Sequence, residues 1–215
     1  MKDNLKIDCY GTIIFDFDGV ILDSNNVKKD AIGKAVECAL DRGKSEEFVR
    51  YFVHHNGVPR REKVEKFVPK ELVETVLEQY EVLLDQALFE ATLIPGVRDF
   101  IEILSKHPKN PPLLYVLSGG EVGEIDRLLE YHDLAKYFDG VYAAPYRKEK
   151  NLNRMKLKPP ILFFGDSLID FEVARESGVD FVFVYGASNV LNWREEVDQD
   201  DTIAIIEDFM RVIKC

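Results

Sequence analysis

Thr12-Ile13-Ile14-Phe15-Asp16-Phe17-Asp18-Gly19-Val20 carries an apolar run straight into two acids and a glycine. Its first part reads as a strand buried on both faces, because strands of a parallel sheet are near-continuous in apolar residues. Side chains two apart on an extended chain point the same way, so Asp16 and Asp18 emerge together at the C-terminal end of a strand spanning Ile13–Phe17. Paired carboxylates repel one another and resist burial, so a cation or a shared proton is expected between them. Gly19 gives the turn that follows a backbone freedom denied to other residues.

Downstream, about seventy residues of helical pattern separate this strand from the next, far more than an ordinary crossover needs. Val27, Ala31, Ala35 and Ala39 recur every four positions, with Ile32, Val36 and Leu40 beside them, and Gly43 reads as the stop. Phe48, Val49, Phe52 and Val53 give a second face, and Val64, Phe67 and Val68 a third. Val73, Val76, Leu77, Tyr80, Leu84, Ala87 and Leu88 give a long fourth, with Pro69 suited to its start. No strand pattern interrupts Ser24 to Ala91, and Ile94-Pro95-Gly96 marks the return. The expectation is an all-helical insertion over residues 23–92 within a core made of residues 1–22 and 93–215.

From the return onward, strand and helix alternate as an α/β sheet demands. Val97, Phe100, Ile101 and Leu104 mark a helix, and Leu113–Leu117 a strand ending in Ser118-Gly119-Gly120. A helix over Glu121–Tyr131, a weaker strand at Val141–Ala143 and a basic helix near Lys148–Leu157 follow. Ile161–Phe164 is a strong strand ending in Gly165-Asp166-Ser167, followed by a helix over Asp170–Ser177 and a strand at Phe181–Val184. The tail from Asn189 is ambiguous and closes on a predicted helix at Glu207–Ile213.

Composition narrows the setting. The chain has 215 residues, 46% hydrophobic and 31% charged, which is the apolar content of a packed protein rather than a disordered one. A formal net charge of −11 argues against nucleic acid or an anionic membrane as partner, since both require a basic face. Cys9, Cys38 and Cys215 are odd in number and scattered, which favours thiols in a reducing compartment and makes the cytoplasm the expected location. The N-terminus lacks the apolar segment of a signal peptide, and no stretch reaches the roughly 18 apolar residues needed to span a bilayer.

Each informative polar cluster falls at the C-terminal end of a predicted strand, where open parallel sheets bind their ligands. The ordered set Asp16-x-Asp18-Gly19, Ser118-Gly119, a lysine, and Gly165-Asp166-Ser167-x-x-Asp170 resembles the haloacid dehalogenase superfamily, across roughly Thr12 to Val184. Within it, the branch of phosphoglycolate phosphatases and β-phosphoglucomutase-like enzymes is nearest. The resemblance implies a Rossmann-like doubly wound parallel sheet, with the helical insertion as a cap of the family's first type.

It also implies a chemistry. Asp16 is then the nucleophile that attacks phosphorus to give an aspartyl-phosphate, and a ligand of Mg2+. Asp18 acts as general acid toward the leaving alcohol and then as base toward water, with its backbone carbonyl on the metal. Asp166 is the second carboxylate on the ion and Asp170 orients the metal or its waters, an oxygen-only set suited to magnesium rather than zinc. Ser118 and the Gly119 amide hold phosphate oxygens at a helix start. For the family's lysine, Lys148 is preferred over Lys150, its ammonium neutralising the transferring group. The implied activity is a magnesium-dependent phosphatase acting on a small phosphorylated metabolite, with a sugar phosphomutase as the alternative. A dehalogenase would not need an acid at position 18, and a silent phosphate sensor would be expected to have lost one of the four acids.

Blander readings stand beside these. An Asp-x-Asp-Gly is also a common turn, and Ser167 in Gly-Asp-Ser is a good helix cap. In the insertion, His54-His55-Asn56-Gly57-Val58-Pro59-Arg60-Arg61 breaks the helical pattern and offers His55, Asn56, Arg60 and Arg61 as groups able to meet substrate, although surface arginines are usually solvated. The adjacent histidines lack a third ligand at zinc spacing.

Overall fold

Strand β1, Thr12–Phe15, lies in the middle of a six-stranded, all-parallel sheet of order β3-β2-β1-β4-β5-β6. Its partners are β2 (Leu113–Glu121), β3 (Gly140–Ala144), β4 (Ile161–Gly165), β5 (Asp180–Val184) and β6 (Ala204–Ile206). This computed structural model describes residues 7–56, 58–108, 110–197 and 201–212. Gly57, Ile213 and Cys215, and the N-terminal residues 1–6, lie outside the described residues.

Period-two alternation splits the sheet residues between two cores. Phe15 and Phe164 stack on one face, with ring centroids 5.2 Å apart, and Phe100 and Phe209 close over them. Ile14 and Phe163 turn to the other face, where Phe171, Phe181 and Phe183 pack. Helix α5 (Val97–Ser105) buries Val97, Phe100, Ile101 and Leu104, the one-sided stripe that 3.6-residue periodicity produces. The remaining helices among the described residues of the core are α6 (Val122–Tyr131), α7 (Lys148–Leu152), α8 (Leu168–Glu176) and α9 (Trp193–Glu196).

Between β1 and α5 the chain forms α1 (Asn25–Ala35), α2 (Arg42–His54), α3 (Arg60–Phe67) and α4 (Val73–Glu90), with α4 packed along α1. The two connections to this helical segment run side by side. Asp23 N donates to Thr92 O at 2.9 Å and Ile94 N to Ile21 O at 3.0 Å. Among the described residues, no helix is long and apolar enough to cross a membrane.

Several boundaries differ from expectation: β1, expected over Ile13–Phe17, runs Thr12–Phe15, and α8, expected over Asp170–Ser177, runs Leu168–Glu176. Gly43 does not stop a helix: α1 ends at Ala35, a 3-10 turn covers Val36–Cys38, and Gly43 sits in the first turn of α2. Asp41 caps that helix by accepting from Lys44 N at 3.0 Å, and the cap outweighs the glycine. Strand β2 runs on through Ser118-Gly119-Gly120, because after a register shift Glu121 still pairs with Ala144; α6 therefore starts at Val122, and Ser118 is not at a helix start. Helix α7 stops at Leu152 instead of continuing to Leu157. In the tail, residues 204–206 form β6, and the part of the predicted Glu207–Ile213 helix that is described is turns, with Phe209 drawn into the aromatic core.

Candidate active site

The register Phe15↔Phe164 brings the C-terminal ends of β1 and β4 level, and Phe15↔Val116 sets beside them the point from which β2 runs on to Ser118 and Glu121. Asp16 leaves β1 with its N–H donating to Phe164 O at 2.8 Å, and Asp166 follows one residue beyond the end of β4. In this strand order the winding reverses between β1 and β4, which opens the crevice where doubly wound sheets take ligands.

Asp16, Asp166 and Asp170 are all buried there, and one oxygen from each lies within 4.8 Å of the others. Asp170 comes from the first turn of α8, where Ser167 and Asp170 form a reciprocal cap. Ser167 thus takes the capping role. Lys148, at the start of α7 and fully buried, bonds Asp16 Oδ1 at 3.0 Å and also Asp170 Oδ1. Burial opposes the charge on Lys148, but Asp16 and Asp170 hold it protonated above its ordinary value. Burial, with Asp170 beside it, pushes the Asp16 carboxyl up to about 8 against the pull of Lys148, and burial next to Asp16 puts Asp166 well above the carboxylate range. Three carboxylates facing one ammonium lack positive charge.

The donor set fits a hard divalent cation. It is oxygen only, as magnesium prefers, and Asp166 Oδ1 is buried with no hydrogen-bond partner while Oδ2 accepts from Asn25 Nδ2 at 2.7 Å. Gly19, at φ +78°, lies so near that a Cβ there would be 2.2 Å from Asp166 Oδ2. No larger residue would leave this carboxylate where it is.

The Asp18 carboxylate lies outside that group of three. It turns toward the helical segment, accepts from Ser24 Oγ, and pairs with Lys28 Nζ at 2.7 Å. Ser24 occupies the N-cap position of α1 but gives its hydroxyl to Asp18 instead of capping the helix. Lys28 also reaches Glu124 on α6 at 2.9 Å, and Arg60 Nη2 meets the same carboxylate at 2.7 Å. Burial raises the Glu124 carboxyl, yet Lys28 and Arg60 pull it down to about 2.

A narrow cavity of about 30 Å3 separates Asp16 and Ser118 on the sheet side from Lys28, Arg60, Lys63 and Tyr80 on the helical side. Ser118 is buried, its Oγ accepting from Gly120 N at 3.0 Å, and Gly119 lines the same space. Asn56 lines it too and donates to Asn25 Oδ1 at 3.0 Å. The structure does not bring Arg61 here. It is half exposed and paired with Glu74 at 2.6 Å on the outer side of α3. His55 stacks on Tyr51, and Lys150 is exposed over the Tyr146 ring at 4.0 Å.

Sequence reasoning passed over Ser24, Asn25, Lys28, Lys63 and Glu124, and counted Tyr80 only as an apolar stripe residue. Asn25 and Lys28 lie one turn apart just after the acid motif, a spacing that puts both on one helical face and was their available signal.

A sequence profile described as haloacid dehalogenase-like hydrolase matches residues 10–178. Among solved structures, the chain is similar to a predicted phosphoglycolate phosphatase from Haemophilus somnus, with a TM-score of 0.75, 17% identity, and coverage of 97% of this chain and 98% of that one. It is also similar to a predicted phosphatase from Clostridium acetobutylicum, with a TM-score of 0.73, 16% identity, and coverage of 95% and 97%. A haloacid dehalogenase-like family hydrolase from Streptococcus pneumoniae gives a TM-score of 0.69 at 19% identity, covering 97% and 99%. At these identities the structural likeness speaks for the fold, and no curated protein matches the chain. With the profile spanning most of its length, the chain belongs to the haloacid dehalogenase-like hydrolase family.

Proposed function

We propose that the protein is a magnesium-dependent phosphatase that hydrolyses a small phosphorylated metabolite through an aspartyl-phosphate at Asp16. The observation that carries this reading is the buried group of Asp16, Asp166 and Asp170, joined to Lys148 at the crevice between β1 and β4.

Two donors, Phe17 N at 2.7 Å and Lys148 at 3.0 Å, hold Asp16 Oδ1, which leaves Oδ2 as the attacking oxygen. In the first step the bond from Oδ2 to phosphorus forms while the bond to the leaving alcohol breaks, and Asp18 delivers a proton to the departing oxygen. In the second, Asp18 takes a proton from water, the water oxygen bonds to phosphorus, and Asp16 is released with inorganic phosphate. Ser24 and Lys28 keep the Asp18 side chain turned toward the leaving-group side. Ser118 and the Gly119 amide bind the phosphoryl oxygens, and Lys148 offsets their charge. The Asp16 and Asp166 carboxylates and the Asp18 carbonyl, with Asp170 behind them, would hold Mg2+, which would add positive charge against the transferring group.

Residues 23–92 act in this reading as a cap over a core of residues 1–22 and 93–215, and Arg60 is its contact with substrate. The paired connections at Asp23 and Thr92 support that division. The test is hydrolysis of p-nitrophenyl phosphate, which should require Mg2+, stop with EDTA and vanish in Asp16→Asn. Turnover retained in Asp16→Asn would refute it.

A further inference from the structure

Asparagine is a weak helix former that is favoured where its side chain can cap. Asn25, the first residue of α1 and only 4% exposed, instead directs its side-chain bonds out of the helix. Its Nδ2 donates to Asp166 Oδ2 at 2.7 Å and to Ala187 O, in the connection after β5, at 2.9 Å. Its Oδ1 accepts from Asn56 Nδ2, at the end of α2, at 3.0 Å. Both N–H groups and the carbonyl of the amide are therefore engaged. Because the Ala187 carbonyl can only accept, the nitrogen must lie on the side of the sheet and the oxygen on the side of the helical segment. The pair is closely housed. A Cβ at Gly19 would fall 2.5 Å from Asn25 Nδ2 as well as 2.2 Å from Asp166 Oδ2. Ser188 Oγ donates to Asp166 O at 2.5 Å, so adjacent residues of one loop grip the Asp166 backbone and the Asn25 amide. With Oδ2 held, the buried Oδ1 of Asp166 is the oxygen left without a partner.

We infer that Asn25 is a positioning residue: it fixes the Asp166 carboxylate for a divalent cation, and its bond from Asn56 ties the affinity of that site to the seating of the α2–α3 connection. The inference rests on the cation site that the phosphatase reading also uses. A carboxylate free to turn must be ordered when a cation binds, and an outer hydrogen-bond partner that orders it beforehand raises affinity. Asn25 does this from the helical segment, not from the sheet, so the partner of the Asp166 carboxylate moves with α1. Asn56, which lines the cavity, stops the Asn25 amide from turning, and the two asparagines then hold Asp166 through bonds in series. Coupling of this kind is reciprocal. Whatever the Asn56 bond adds to cation affinity, the cation adds to the seating of Asn56 against Asn25.

The experiment titrates Mg2+ alone, without substrate, into the metal-free full chain by calorimetry, with thermal midpoints in EDTA as the check on folding. Asn25→Ala should weaken Mg2+ binding by about tenfold or more. Asn25→Leu keeps the side chain's volume and should show the same loss, which separates missing donors from a missing side chain. Asn56→Ala should weaken binding by about two- to fivefold, the worth of one neutral hydrogen bond. In the Asn25→Ala background it should have no further effect, because its influence passes through the amide already removed. A loss below about threefold in both Asn25 variants overturns the positioning role. An Asn56→Ala effect that is absent, or that persists undiminished in the double variant, overturns the link to the α2–α3 connection. Absence of Mg2+ binding by the wild type overturns the phosphatase reading and this inference together, whereas binding that is indifferent to Asn25 overturns this inference alone.

Discussion

Replacing Glu124 with glutamine removes one negative charge from between two buried cations and keeps the side chain's volume. Its carboxylate, 11% exposed, meets Lys28 at 2.9 Å and Arg60 at 2.7 Å, tying α1 and α3 to α6. The folded carboxyl sits at about 2 against an ordinary 4.5. At 1.36 kcal/mol per pH unit, that depression corresponds to roughly 3 kcal/mol of stability at pH 7. The same order, about 3–5 kcal/mol, follows from leaving a buried ion unpaired. Because the pKa is depressed on folding, this stability is present above pH 4.5 and is lost as pH falls from there through 2. Urea unfolding at pH 7 should show Glu124→Gln weaker by about 3 kcal/mol, with a thermal midpoint lower by about 6–12 °C. The deficit should narrow as the wild type is taken into acid. A loss under about 1 kcal/mol at pH 7 would place these ion pairs among ordinary surface contacts and refute the reasoning.

Lys148→Met should lower kcat/KM by about 10²–10³ and Lys150→Met by less than about threefold, as steady-state assays of both variants will show; equal losses would count against the burial argument. Magnesium should raise the thermal midpoint more at high pH than at low. Asp16 has its folded pKa raised to about 8 from 3.8, so its contribution to stability without metal is full below 3.8 and is lost as pH rises through 8. A cation that favours the ionised form restores it there. The midpoint shift on adding Mg2+ should therefore grow between about pH 6 and pH 9 and shrink in Asp166→Asn; a shift that falls over that range would contradict the assignment of the cluster as a cation site.

The sheet and its acids were legible because each acid sits beside a run of apolar residues whose period is unambiguous. Ile13–Phe15 and Ile161–Phe164 announce buried strands, and whatever polar group follows a buried parallel strand must lie at its C-terminal end. Lys148 could be singled out as one of two lysines, but only burial separates it from Lys150 two residues on. The helical wall of the cavity was much less visible. Lys28 and Glu124 are 96 residues apart, and Arg60 and Glu124 are 64 apart. On a helix each looks like part of a solvated face. Gly43 misled for a local reason, since Asp41 caps the next helix two residues earlier. The tail misled for a tertiary one, because Phe209 is taken by the ring cluster around Phe15 and Phe164 and the chain turns to deliver it.

Attack by Asp16 on phosphorus is tested most directly by catching the covalent product. Asp18→Asn should still accept a phosphoryl group from an aryl phosphate, whose leaving group needs no acid, but should release it slowly. After mixing with p-nitrophenyl phosphate and Mg2+, acid quenching and digestion, mass spectrometry should find the phosphoryl group on the peptide carrying Asp16. Modification at any other residue, or turnover by this variant with no modified peptide, would contradict the account.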